Sequence, residues 1–293
     1  MDAAARNGQC TTDTVIFMAM ELSDKKWKLA FSTGPSQNPR LRTVDSCDLE
    51  QLLREIAAAK IRFGLPEDCR VISCYEAGRD GFWIHRYLLE NGVENHVVDP
   101  GSIERPSRKK QRKTDRLDVR KLIRKLIQWF CGDDEGWSVV QVPSVEDEDA
   151  RLFVRELDQL KRERTQHTNR MKSMLVLHGI RVQKIEGDFV EKLEGLRTPD
   201  GLAVPPQLRA LLAREFDRLQ LVRDQIAHME KQRREATRRS NDPRVKMIRH
   251  LQQLRGVGEV SSWALVLELF AWREFRNRQR LASYSGLTPA PWD

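Results

Sequence analysis

Four acidic residues stand where local patterns place two strand ends and a helix start: Glu21, Glu76, Asp115 and Asp118. Glu21 closes the apolar, β-branched run Thr14–Leu22, and Glu76 follows the apolar run Val71–Tyr75. Asp115 and Asp118 lie three apart in Lys113-Thr114-Asp115-Arg116-Leu117-Asp118. On a helix that spacing puts both carboxylates on one face. Carboxylates gathered in this way are the hard oxygen ligands that Mg²⁺ demands, and two such ions about 4 Å apart clamp the attacking and leaving oxygens of a phosphodiester. The expected cofactor is therefore Mg²⁺, with Glu21, Glu76, Asp115 and Asp118 as metal ligands and catalytic acids. Asp24, three residues after Glu21, is an alternative first ligand. Each acid taken singly also has an ordinary use. Thr114 or Asp115 can cap a helix, acids favour a helix's first turn, and a charged residue often ends a buried strand. Only their joint placement points to metal chemistry.

The charge around the two aspartates has the opposite sign. The 293-residue chain carries 51 Lys+Arg and 43 Asp+Glu, a formal charge of +8, and the window Arg105–Lys125 alone holds more than that surplus. Such a block can be a solvated face, but it runs on into the periodic segment Leu117, Leu122, Ile123, Leu126 and Ile127. A basic loop entering a helix suits a polyanion. Arg105, Arg108, Lys109, Lys110, Arg112, Lys113, Arg116, Arg120 and Lys121 are the candidate nucleic-acid contacts. Other classes find no support. No apolar run approaches the roughly 18 residues of a membrane span, and Met1–Thr14 has no signal-peptide core, so a soluble, cytoplasmic protein is expected. The five cysteines include no C-x-x-C pair and the six histidines no H-x-x-x-H pair, which argues against zinc.

The elements that must position these residues follow from periodicity. Thr14–Leu22, Trp27–Ser32 and Leu41–Val44 read as three strands in a meander. Leu49, Leu52, Leu53, Ile56 and Ile61 recur at helical spacing up to the stop Gly64-Leu65-Pro66. Val71–Tyr75 is a strand, Gly81–Glu90 a helix, Asn95–Val98 a strand, and the basic segment opens a last helix. The order β-β-β-α-β-α-β-α over residues 1–145 predicts an α/β, ribonuclease H-like (RuvC-like) domain. Strand signals stop at Glu146. Residues 146–240 read as a helical hairpin or coiled coil. One seam runs through Leu157, Leu160, Met171 and Met174, with Arg164 and His167 at its polar middle, and a cleaner one through Leu208, Leu212, Leu219, Val222, Ile226 and Met229. That second stripe cannot face water, so it must meet the first seam or another protomer. After Asn241-Asp242-Pro243, residues 241–293 form a small α-helical domain. There Leu254-Arg255-Gly256-Val257-Gly258 has the spacing of a helix-hairpin-helix turn, whose amides could bind a phosphate. Gly256 and Gly258 join the candidate contacts, with a plain αα-corner as the ordinary alternative.

Four segments carry a family resemblance: Tyr75-Glu76-Ala77, Lys113–Asp118, Leu254–Gly258 and Leu281–Pro289, the last containing Gly286-Leu287-Thr288-Pro289. In this order and spacing they resemble the DEDD transposases of bacterial insertion sequences, the one-ten group and its eleven-eleven relatives. The resemblance implies a RuvC-like catalytic domain, a coiled coil and a C-terminal transposase domain. It also implies Mg²⁺-dependent cleavage and joining of DNA, guided by a structured non-coding (bridge) RNA; the apolar stripe of the helical middle and the need to hold more than one DNA end add the expectation of a dimer or tetramer. The family's four acids fall on Glu21, Glu76, Asp115 and Asp118, with Glu21 where the family has aspartate. The family's nucleophilic serine follows shortly after the Gly-Leu-Thr-Pro motif, whereas the sequence stops at Asp293. Ser283 and Ser285, which precede the motif, read as structural. The expectation is thus a transposase or site-specific recombinase of an insertion sequence whose sequence ends before its nucleophile. Two other functions compete: a RuvC-type junction-resolving endonuclease that activates water, and a catalytically inactive nucleic-acid-binding scaffold.

Overall fold

The computed structural model describes residues 15–102, 115–133 and 137–286. The chain divides into two compact units, residues 1–142 and 143–293. The second unit therefore contains both the helical pair and the C-terminal segment.

The first unit is built on five strands, β1 (Val15–Glu21), β2 (Lys26–Ser32), β3 (Arg40–Asp45), β4 (Arg70–Glu76) and β5 (Val93–Val98). Their order in the sheet is β3-β2-β1-β4-β5. The meander pairs antiparallel, while β4 adds parallel to β1 and β5 parallel to β4. The helices α1 (Leu49–Arg62) and α2 (Trp83–Glu90) supply the crossovers that parallel pairing needs. Asp48 starts α1 by accepting from the Gln51 amide at 2.9 Å, the ordinary way a side chain satisfies an orphan donor.

Strand residues alternate between faces, and here both faces are buried. Ile16, Met18 and Met20 join Trp27, Leu29, Phe31, Val71 and Tyr75 in one core under Leu52, Ile56, Ile84 and Leu88 of α1 and α2. Val15, Phe17 and Ala19 join Ala30, Ile72, Cys74 and Val98 in a second core. That one is covered by α3 (Asp115–Phe130) through Val119, Leu122, Ile123, Leu126 and Ile127. Burial on both sides is why β1 reads as a continuous apolar run.

The direction of α3 is fixed by its last turn. The Phe130 ring meets Phe17 edge-on at 5.2 Å, and the Arg70 guanidinium lies 5.7 Å from its centroid. Phe17 and Arg70 belong to the opening residues of β1 and β4. The helix thus ends where β1 and β4 begin, while Val119 in its first turns lies by Lys28 and Thr43 of β2 and β3.

In the second unit, α4 (Val145–Val176) and α6 (Pro206–Arg239) form a long antiparallel pair flanking the short α5 (Phe189–Gly195). Met171 and Leu175 pack with Leu212, Phe216 and Leu219, and Leu157 and Leu160 with Val222, Ile226 and Met229. The apolar stripe of α6 is therefore covered within its own chain. The polar middle of the seam is filled as well, since Glu215, only 1% exposed, accepts from His167 Nδ1 at 2.8 Å and Arg218 at 2.9 Å. Gly179, at φ +74°, turns the chain after α4, and any Cβ there would lie 2.5 Å from Pro199 Cγ.

The C-terminal segment has α7 (Pro243–Leu251), α8 (Glu259–Leu265), one π-helical turn at Val266–Phe270 and α9 (Arg278–Tyr284). Ile248, Trp263, Val266 and Leu267 pack on Ala150, Phe153 and Val154 of α4 and Ala236 of α6. Glu268 of the π turn takes hydrogen bonds from Arg151 and Arg155 at 2.9 and 2.8 Å. Burial alone would raise the Glu268 pKa, but these two guanidiniums outweigh it and hold the carboxyl below its ordinary range.

Candidate functional site

Strand register brings the first two acids together. Met20 is paired with Tyr75 in the parallel β1–β4 ladder, and Glu21 and Glu76 are the next residue of each strand. The alternation that sends Phe17 and Ala19, and Ile72 and Cys74, to the α3 side sends Glu21 and Glu76 there too. They stand at the carboxyl ends of adjacent central strands.

Asp115 is the first residue of α3. Asp118 is half-buried one residue before the buried Val119. Both residues belong to the first turn of α3, the helix that covers the side of the sheet to which Glu21 and Glu76 alternate. The side chains of Asp115 and Arg116 lie outside the described set, and so do Arg105, Arg108, Lys109, Lys110, Arg112 and Lys113 altogether. Among the described residues no three His, Cys, Asp or Glu side chains form a group that could hold a metal ion. Asp24 is engaged differently, in an ion pair with Arg79.

Further along α3, Lys121 and Arg124 are exposed and Arg120 and Lys125 half-buried. The basic stretch therefore keeps charge on the solvent side of α3 while its apolar side is buried. Cys74, beside Glu76 on β4, is wholly buried, and burial pushes its thiol well up, so it is no nucleophile.

In the second unit, Gly256 turns the chain between α7 and α8 at φ +91°, and Gly258 caps α8 with extended backbone. Neither position has a heavy atom within 4 Å of an added Cβ. Leu254, Arg255 and Gly256 are exposed. Ser285 donates from its hydroxyl to the Leu281 carbonyl at 2.8 Å, a structural contact at the end of α9, and Ser283 is exposed.

Two neighbours of Glu21 in the sheet escape sequence reasoning. Glu21 is paired across the sheet with Lys28, and Lys28 with Thr43, so a lysine and a threonine continue the row of acids. The period-two pattern of Trp27–Ser32 shows Lys28 as the polar residue of an apolar strand. Only the register reveals which acid it adjoins.

The family model of the IS116/IS110/IS902 transposases matches residues 248–292, from α7 to the Gly-Leu-Thr-Pro motif. A relative in Sinorhizobium fredii (strain NBRC 101917 / NGR234), named "Putative transposase y4rJ", is 36% identical over 290 residues, 94% of this chain and 72% of that protein. The transposase for insertion sequence element IS1533 of Leptospira borgpetersenii is 26% identical over 167 residues, 57% of this chain and 45% of that protein. No solved structure matches the chain. This likeness over nearly the whole length of the chain makes it a DNA transposase. The chain belongs to the IS116/IS110/IS902 family of insertion-sequence transposases. No helix among the described residues is long and apolar enough to cross a membrane.

Proposed function

We propose that the first unit is a ribonuclease H-like (RuvC-like) catalytic domain that cleaves and joins DNA with Mg²⁺ held by Glu21, Glu76, Asp115 and Asp118. One observation carries this reading: at the carboxyl ends of adjacent parallel strands Glu21 and Glu76 share the side of the sheet that α3 covers, and the first turn of α3 holds the two aspartates. The donor set suits the ion, because all four groups offer hard oxygens. Bound there, Mg²⁺ supplies Lewis-acid polarisation of the scissile phosphate. The sheet holds two carboxylates rigidly through buried neighbours, and the helix adds two from above. The basic residues from Arg105 to Lys121 bind phosphates on either side and fix the strand's register on the protein.

The partners in this reading are the DNA ends of the element and its target, a structured guide RNA, and further copies of the chain in the cytoplasm. Recombination must hold more than one DNA end, which favours a dimer or tetramer. The two-helix seam supplies no separate reason, since it is satisfied within the chain.

The test is calorimetric titration with Mn²⁺ as a stand-in for Mg²⁺. Wild-type protein is expected to bind, and Glu76→Gln and Asp118→Asn to lose affinity by about tenfold or more, as expected when a ligand is removed from a small oxygen cage. A wild type that binds no divalent ion would leave a nucleic-acid-binding scaffold in place of an enzyme.

A further inference from the structure

The seam between α4 and α6 buries one acid, and two of the groups that hold it are exposed. Glu215 Oε1 accepts from His167 Nδ1 at 2.8 Å. Its Oε2 accepts from Arg218 Nη1 at 2.9 Å, and Arg170 Nη1 stands 3.5 Å from that same oxygen. Glu215 is 1% exposed, whereas the side chains of Arg170 and Arg218 are 61% and 58% exposed. The two guanidiniums, one from each helix, therefore stand side by side over a buried carboxylate, and each meets it through a single terminal nitrogen. A guanidinium carries five N–H donors in a planar fork, so most of both forks is left facing solvent.

Charge on this flank is mainly positive. Arg214, one turn before Arg218, shares its side of α6 and is exposed. Asp217 adjoins Arg218 in sequence, but adjacent residues do not face one another on a helix. Glu163, two turns before Arg170 on α4, accepts from Gln159 at 3.0 Å. Three exposed guanidiniums thus outnumber the acids of the flank, Glu163 and the buried Glu215.

Packing does not ask for this arrangement. A buried ion pair is commonly no better for stability than a well-fitting apolar residue, and the core positions to either side, Leu212 and Leu219, are apolar. The effect of Glu215 is to keep two arginines together against their mutual repulsion, on helices fixed beside them by the buried Met171 and Leu219. Adjacent guanidinium forks are the donors that phosphate oxygens take, and a DNA transposase acts on a chain of phosphates.

We infer that Arg170 and Arg218, held together by Glu215, grip a backbone phosphate of nucleic acid with Arg214 beside them, which makes the helical pair itself a nucleic-acid-binding surface. The inference is independent of the acids of the first unit.

Full-length wild type and variants are titrated in EDTA, over a range of salt, with a labelled DNA duplex and with an RNA duplex of equal length. Arg170→Gln, Arg218→Gln and Arg214→Gln are each expected to weaken binding severalfold and to make the log–log salt slope shallower by about 0.9, one released counterion. Arg170→Lys should keep the wild-type slope. Gln166→Lys, at an exposed position one turn before Arg170, should steepen it by the same increment. Lys231→Gln removes an equal charge about 20 Å from Arg218 along α6 and should leave the slope alone. Arg214→Gln and Gln166→Lys keep the test decisive if loss of Arg218 unfolds the seam, because neither side chain bonds to Glu215. A slope that changes with one duplex and not the other identifies which nucleic acid supplies the phosphate, and supports the grip in either case. Slopes unchanged on both duplexes, whatever happens to the melting temperature, overturn it and leave the arginines serving Glu215 alone. An equal loss of slope in Lys231→Gln overturns it too, as general attraction to the helices without a site.

Discussion

Gly256 and Gly258 lie two residues apart in one exposed turn, yet the chain itself demands glycine only at the first. Gly256 has a left-handed backbone, where a Cβ costs about 1–2 kcal/mol. Gly258 is extended, with open space where a side chain would go. Gly256→Ala should therefore lower stability by about that amount in a denaturant melt, while Gly258→Ala, which only puts a poorer N-cap on α8, should cost less, about 0.5 kcal/mol. If a nucleic-acid backbone approaches this turn, Gly258→Ala nevertheless weakens DNA binding, a loss that folding does not explain. The acids show how far residue types could be read without coordinates. The apolar runs before Glu21 and Glu76 already mark both as strand ends, because an acid closing such a run has nowhere else to go. Lys28 stayed hidden for the opposite reason: its neighbour lies seven residues away, across a turn whose length sets the pairing.

Among the elements, the succession of five strands and three helices was legible, since it follows from alternation and helical spacing, whereas the order of the strands in the sheet depends on pairing between distant segments. The cover on α6 was not legible either. Arg164 and His167 look like a fault in the seam, and a fault suggests another protomer. Arg164 is exposed, and the partner of His167 is Glu215, a lone acid in an otherwise apolar register that only antiparallel alignment brings opposite it. Glu215→Ala is expected to cost about 1–3 kcal/mol, since it strips charged donors of their acceptor, measured by chemical denaturation. Burial pushes the Glu215 pKa up, but hydrogen bonding by His167 and the charge of Arg170 reverse this and hold it below its ordinary value. The sign follows from linkage. A depressed folded pKa gives stability that is full above the unfolded value, about 4.3, and fades as pH falls through the folded one. Wild type should lose melting temperature faster than Glu215→Gln below that pH. On α3, Ile123→Ala, fully buried against the sheet, should cost about 2–5 kcal/mol.

At the scale of the whole molecule, charge is the property that acts at a distance. Replacing Arg108, Lys109, Lys110, Arg112 and Lys113 with glutamine should flatten the salt dependence of DNA binding by about 0.9 per lost phosphate contact. An unchanged slope would place the binding surface elsewhere. Light scattering of the free protein and of its nucleic-acid complex should give a dimer or larger. The pair Leu219→Asp and Ile226→Asp is a poor probe of that assembly, because both residues are buried between α4 and α6, and the change should melt the second unit. The alternation along β1 and β4 has a last consequence, for how such a protein tolerates changes of length. A point substitution in β1 does graded damage. Inserting or deleting one residue between Val15 and Glu21 turns every later side chain through the sheet. It would carry Glu21 from the side of α3 to the side of α1 and α2, and drive Met20 into the space the acid had left. Lineages descended from this gene should therefore drift freely in the lengths of their loops while keeping the residue count of these two strands fixed.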